Sequence, residues 1–470
     1  MDTGNKKVKF LKEKLFTKRE NIRKILSDNE FGECENFSTG YKEFLNKSKT
    51  ERETVNYVLK KAIDLGFKEL DKTCKYNPGD KIYFINRNQS MILAVIGENG
   101  IKNGAKIAVA HIDSTRLDLK PNPLIESDEL AIFKTHYYGG MKKYQWTAMP
   151  LSLHGRIVKK DGTYIDVTLG ENEGEPCFCI TDLLPHLAKE QMSKKMSEAI
   201  TGEDLNVIVG SLPFKSDDSD NSSELVKLNI LKLLNEKYGI VEEDFISSDL
   251  TLVPAMKAQD VGFDKSMVGG YGHDDRSCAY SSFQAIFNCG IPDKTSIVVL
   301  TDKEETGSDG NTGMQSSYAR YFICDLADME GVKGRDVLTK SKCLSADVNA
   351  AYDPTFHGSY DAVNSSFINK GVVLTKYTGS GGKYGTSDAS AEFTGEVCKI
   401  FNDNNVIWQS SELGKVDNGG GGTIAKYVAN MNIDVIDIGV PVLSMHAPFE
   451  IISKFDLYMA YKAFLAFFKS

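Results

Sequence analysis

The chain has no uninterrupted apolar stretch near the roughly 20 residues that a bilayer span requires. The nearest, Leu457–Phe468 (LYMAYKAFLAFF), is shorter and interrupted by Lys462, so a core-packed terminal helix is expected there and no membrane partner. The first residues, MDTGNKKVKFLKEKLFTKREN, carry lysines throughout and no apolar segment, so no secretion signal is expected. A long basic cluster is also missing. With a net charge of −9 and a pI near 5.5, this argues against nucleic acid as the main partner. Nine cysteines, an odd number, follow no disulfide framework, and Cys177 and Cys179 form CxC rather than the CxxC of a zinc ribbon. Reduced thiols in a cytoplasmic setting are the simplest reading. There is no GxSxG and no repeat of fixed period. Gly379–Lys383 fails as a phosphate loop, because Tyr384 stands where Ser or Thr would ligate magnesium.

What is present is a chain of 470 residues, 41% hydrophobic and 26% charged, ordinary for a globular protein but too long for one core. Two or more domains are expected. Helical spacing runs from about Lys6 to Ile63, with a stop at Gly66. KIYFIN (Lys81–Asn86) and SMILAVI (Ser90–Ile96) read as a hairpin, and IAVA runs into His111-Ile112-Asp113. Two prolines in Leu117–Leu124 then open a β-rich stretch whose Gly-Gly and Asp-Gly turns suggest an antiparallel sheet. Asp182–Lys195 and Glu224–Tyr238 read as helices, with the acidic Ser211–Ser223 as a mobile loop between them. From about Leu250 strands and helices alternate again, LTLVPAMKA being the first strand and Ile433–Met445 the last. Helices are expected over Arg276–Asn288, Thr386–Phe401 and Thr423–Met431. The predicted class is α/β: a mixed-sheet domain made of residues 1–116 and 251–470, interrupted by an inserted β-rich domain over 117–250.

The stretch that organises the rest is Ser296–Gly310, SIVVLTDKEETGSDG. Four consecutive apolar residues, Ile297–Leu300, need cover on both faces and so form a buried strand. The acidic turn that follows sets Glu304 and Glu305 side by side at the strand's carboxyl end, where open α/β sheets build their sites. Adjacent carboxylates hold protons tightly unless a cation is present. With a cation, one can ligate while the other acts as general base.

The same pattern recurs along the chain. His111 follows IAVA, Asp274 follows MVGGYGH, Asp347 follows CLSA and His446 follows VPVLSM. Two histidines and several carboxylates without cysteine make a nitrogen and oxygen set suited to zinc, manganese or cobalt. The number of donors suggests two metal ions if one aspartate is shared. Asp113, two residues after His111, points to the same side of a strand and would accept the imidazole N–H. Gly419–Gly422, before Thr423, offers backbone N–H groups that could hold a peptide carbonyl or carboxylate.

AHIDS with LDLK, GHDDRS, DKEETGSDG, SADVNAAYDP and VPVLSMHAPFE together, in this order, resemble the M18 aminopeptidases, the group of aspartyl aminopeptidase and yeast aminopeptidase I. The resemblance implies a zinc-peptidase-like α/β fold and a two-metal exopeptidase, most simply with two zinc ions, that releases N-terminal residues from peptides. It implies His111, Asp274, Glu305, Asp347 and His446 as ligands, with Asp274 bridging. Glu304 becomes the general base and Asp113 the acid orienting His111. The family's bridging motif reads LDN whereas this chain has His273-Asp274-Asp275-Arg276, which keeps Asp275 open as the bridge. The resemblance further implies that the inserted β domain drives dimerisation, that dimers form a tetrahedral dodecamer, and that His186 enters a neighbouring subunit's site. Lys383 and Tyr384 stand roughly where aspartyl aminopeptidases recognise an acidic side chain, which leaves acidic and neutral preferences both open. Gly422 and Thr423 complete the expected substrate contacts. A deblocking peptidase, carboxypeptidase or deacylase with the same metal chemistry, and a catalytically silent assembly protein, are the rival readings.

Overall fold

In a computed structural model the described residues are 2–17, 19–215 and 223–470. Seven residues of the expected acidic loop, 216–222, lie outside them. Three sheets of nine, seven and five strands organise the chain.

The nine-stranded sheet holds the apolar runs read in the sequence. Ser296–Thr301 lies parallel to Lys106–His111, which lies parallel to Lys342–Ala346, which lies parallel to Asp434–Gly439. The expected hairpin, Lys81–Asn86 with Ser90–Val95, adds an antiparallel edge beyond Ser296–Thr301. Its turn places Arg87 and Asn88 at positive φ, the conformation that matches the twist of paired strands. The four parallel strands are buried almost throughout, because two apolar layers cover them. One layer is built from the helices Asp28–Lys47, Glu51–Asp64, His273–Asn288, Ala391–Asp403 and Lys454–Lys469. The other is built from Tyr318–Met329, Gly334–Lys340 and Ala425–Ala429. The terminal helix buries Phe464, Phe467 and Phe468 completely, as its uninterrupted apolar face requires.

The seven-stranded sheet is antiparallel and has its own core around Trp146, Phe133 and Leu151. Its strands fall between Arg116 and Pro254. The strand LTLVP, expected to resume the α/β alternation, belongs here instead: Ser248–Pro254 pairs with Leu151–Val158 and with Arg116–Ser127. Pairing with distant strands leaves no local signal, so alternation alone assigned it to the wrong sheet. The small five-stranded sheet joins Met267–Gly270, Glu450–Ser453 and Pro441–Leu443.

Three further expectations change. The helix read over Asp182–Lys195 shrinks to Lys189–Ser193, preceded by a turn in which Leu187 N–H reaches the Leu184 carbonyl. Pro185 supplies no N–H and disfavours the helical conformation at Leu184. The helix of Thr386–Phe401 starts only at Ala391, where the Ser390 hydroxyl accepts the Phe393 N–H as a cap. The last strand is two strands in different sheets, Asp434–Gly439 and Pro441–Leu443. Pro441, lacking an N–H, cannot continue the first ladder in mid-sheet.

Candidate metal centre

Four site residues, His111, Glu304, Glu305 and Asp347, leave the carboxyl ends of the nine-stranded sheet. His111 ends its strand beside Thr301, and the Glu304–Thr306 turn follows directly after Thr301. Asp347 follows Lys342–Ala346 on the other side of the His111 strand. Asp274 and His446 arrive differently. Both follow strands of the five-stranded sheet, Met267–Gly270 and Pro441–Leu443, so the recurring strand-end pattern spans two sheets. Glu450, in the neighbouring strand, joins these two: its carboxylate accepts the Asp274 N–H at 3.1 Å and the His446 N–H at 2.7 Å.

The donors converge. His111 Nε2 lies 3.1 Å from Asp274 Oδ1 and 3.8 Å from Asp347 Oδ1. His446 Nε2 lies 3.0 Å from Asp274 Oδ2 and 3.6 Å from Glu305 Oε2. Each oxygen of Asp274 therefore faces a different imidazole. Two groups of potential donor atoms form, His111–Glu304–Asp347 and Asp274–Glu305–His446, each within 4.8 Å. Both imidazoles are oriented from behind. His111 Nδ1 faces the Asp113 carbonyl at 3.1 Å and its carboxylate at 3.3 Å, while His446 Nδ1 faces the Gly140 carbonyl at 2.7 Å. A proton held on each Nδ1 leaves Nε2 free to ligate.

Asp113 also holds the acidic turn. Its Oδ1 accepts the Glu304 N–H at 3.1 Å, and its Oδ2 accepts the Glu305 N–H at 3.2 Å and the Tyr138 hydroxyl at 2.7 Å. Asp275 is buried with neither carboxylate oxygen hydrogen-bonded, and it joins neither donor group.

The electrostatics suit divalent cations. Burial, reinforced by neighbouring acids, pushes the Glu304 carboxyl up to about 8 and those of Glu305 and Asp347 above their usual range. Burial opposes ionisation of Asp274 too, but the two histidines hold its carboxyl well below the normal value. Glu305 Oε1 is buried without a hydrogen-bond partner. A dense set of carboxylate oxygens, two converging Nε2 atoms and one orphaned acceptor fit a zinc site.

The remaining candidates join neither donor group. Lys383 pairs with Asp388 at 2.8 Å and stacks over Tyr377, 3.6 Å from the ring centre, while Tyr384 is exposed. Thr423 donates its hydroxyl to Asp437 and caps Ala425, and Gly422 adjoins it in the same loop. His186 stands exposed on the Leu184–Leu187 turn. A cavity of about 590 Å³ opens beside His446, between Met141, Tyr144, Phe356 and Met445. Sequence reasoning missed Tyr138 and Glu450. The first sits in a strand of another sheet, and the second, the last residue of VPVLSMHAPFE, follows no apolar run of its own.

The sequence profile of the family described as aminopeptidase I zinc metalloprotease (M18) matches residues 44–468. A protein of Borrelia garinii subsp. bavariensis named "Probable M18 family aminopeptidase 1" is 47% identical over 460 residues, covering 96% of this chain and 100% of its own length. The crystal structure of an M18 aminopeptidase from Thermotoga maritima superposes with a TM-score of 0.91 at 44% identity, over 96% of this chain and 99% of that one. Aminopeptidase I from Clostridium acetobutylicum gives the same score and identity over 97% and 100%. The chain belongs to the M18 family of zinc metalloproteases and is an aminopeptidase, a peptide hydrolase.

Proposed function

We propose that the chain is a dinuclear metalloaminopeptidase in which Asp274 is shared between two divalent ions, zinc in the simplest case. The observation that carries this reading is the placement of the two Asp274 oxygens, each 3.0–3.1 Å from the Nε2 of a different histidine. His111 and Asp347 would complete one set, and Glu305 and His446 the other. Bound ions would supply Lewis-acid polarisation of the scissile carbonyl and make water more acidic. Glu304, fixed by its backbone to Asp113, accepts the water proton at its carboxylate and delivers it to the leaving amine. The cavity beside His446 receives the N-terminal residue. Its mixed lining sets Met141, Tyr144, Phe356 and Met445 beside one lysine, Lys142, and one acid, Asp353, so no cluster of cations is there to select an acidic side chain. Lys383 serves the Tyr377–Asp388 cluster rather than this cavity.

A homo-oligomer, with residues 117–250 as the dimerising insertion and His186 donated to a neighbouring site, fits the exposed Leu183, Leu184, Leu187 and Met192 that surround that histidine. There His186 would stabilise the developing oxyanion. Nine free thiols suit the cytoplasm.

The test is Glu304→Gln. It should keep two zinc ions per chain while kcat on free N-terminal peptides falls by about 10²–10⁴. Loss of one zinc would make Glu304 a ligand instead. Wild-type cleavage of peptides with acylated N-termini at a comparable rate would defeat the N-terminal reading.

A further inference from the structure

We propose that Tyr138, from the seven-stranded sheet, is a positioning residue for the metal centre, acting through Asp113. The inference rests on the ligand roles proposed for His111 and Glu305.

Asp113 has four donors to satisfy with two oxygens. Three come from the centre itself: the backbone N–H groups of Glu304 and Glu305, and the His111 imidazole. The fourth, the Tyr138 hydroxyl at 2.7 Å, is the shortest of these contacts and comes from outside. An O–H···O⁻ bond of this length to a fully buried carboxylate is charge-assisted and fixes the rotation of the acid. Once that rotation is set, Oδ1 points at His111 and Glu304 while Oδ2 points at Glu305. The three groups are oriented together.

Tyr138 is held in turn. The Arg116 guanidinium lies 4.0 Å from the centre of its ring, and Arg116 is anchored by Glu51 at 3.2 Å and Asp118 at 2.8 Å. Burial pushes the Tyr138 phenol well above its ordinary pKa, with the Asp113 carboxylate adding to the shift, so the hydroxyl stays a donor. Arg116 and Tyr138 are paired across neighbouring strands, Arg116–Ser127 and Leu130–Tyr138. The geometry of the metal centre is therefore read out partly by the end of a hairpin in a different sheet. Through Asp113 this hydroxyl links that sheet to the Glu304–Glu305 turn.

Tyr138→Phe removes one oxygen and keeps the ring over Arg116. In the metal-stripped protein, titrated with zinc against a chromophoric chelator, its zinc dissociation constant should rise by about 10-fold or more, the usual scale for losing a group that orients a ligand. After reloading at saturating zinc, kcat should fall while KM changes less than about twofold, because Tyr138 does not line the cavity beside His446. The melting temperature of the metal-free variant should match the wild type. Wild-type zinc affinity in Tyr138→Phe overturns the proposal, and so does a lowered metal-free melting temperature with unchanged affinity, which would mark a purely structural role. Asp347→Asn separates the two levels. If it too leaves zinc affinity intact, the ligand assignment fails; if it abolishes binding while Tyr138→Phe does nothing, only the role of Tyr138 fails.

Discussion

At the scale of single residues the question was which of two adjacent aspartates serves the centre. Asp274 and Asp275 are chemically identical, and both are buried. One places its oxygens between two imidazoles; the other finds no partner. Their environments separate them further, since histidine contacts lower the Asp274 carboxyl while burial raises that of Asp275. Asp274→Asn should therefore lower zinc affinity by about 10–100-fold or more and take activity with it. Asp275→Asn, a near-isostere, should keep wild-type zinc content. Metal content after dialysis, measured for the two variants side by side, decides the matter; equal losses would place Asp275 in the centre as well. The candidate donors stood out in the sequence because histidine and carboxylates after apolar strands have few uses without a cation. Their exact partners were not, because a one-residue step along the backbone turns a side chain to another direction.

Among elements, the turn between sheets is the sensitive point. Gly439 ends the strand Asp434–Gly439, just before the chain enters the small sheet at Pro441. A Cβ at Gly439 would come within 1.6 Å of the Asp347 carbonyl oxygen, a backbone atom that cannot move aside alone. Gly439→Ala should displace the Asp347 segment, lower stability by about 1–3 kcal/mol and weaken zinc binding in the same variant. Thermal melting and zinc titration together check this; normal zinc affinity in a destabilised variant would show that Asp347 adapts. The strands carrying His111, Asp347 and the acidic turn were readable from apolar runs, which need cover on both faces. The small sheet was not, since Met267–Gly270 and Pro441–Leu443 have only four and three residues and no alternation to detect. The helix expected across Pro185 failed for a local reason that the proline itself supplies.

Across the whole molecule, a buried polar network ties the seven-stranded sheet to the N-terminal helices. Lys49 Nζ meets Glu171 at 2.7 Å, His154 bridges Glu53 at 2.8 Å and Glu171 at 3.1 Å, and Arg276 donates to the Lys49 carbonyl. Burial opposes ionisation of Glu171, but His154 and Lys49 pull its carboxyl down to about 2. A carboxyl lowered on folding stabilises the fold above its unfolded value of 4.5, and the benefit is lost as pH falls from there towards 2. His154, raised by the same acids despite its burial, contributes below its unfolded value of 6.5 and loses that contribution as pH rises through its folded pKa. Glu171→Gln should cost about 1–3 kcal/mol at neutral pH and flatten the fall in melting temperature between pH 4.5 and about 2. An equally steep fall in the variant would place the acid sensitivity elsewhere. On the same scale, sedimentation of the purified chain tests the proposed oligomer: a monomer would remove the role given to His186.

By itself the sequence determined the family, the α/β class and the order in which the candidate donors appear, because these rest on residue types and on apolar runs that act locally. Tertiary structure alone decided that Asp274 rather than Asp275 faces both histidines, that two of the donors come from a small separate sheet, and that Tyr138 completes the Asp113 hub. Those outcomes depend on backbone direction at single residues and on contacts such as Asp274 with Glu450, 176 residues apart, which leave no periodic trace along the chain.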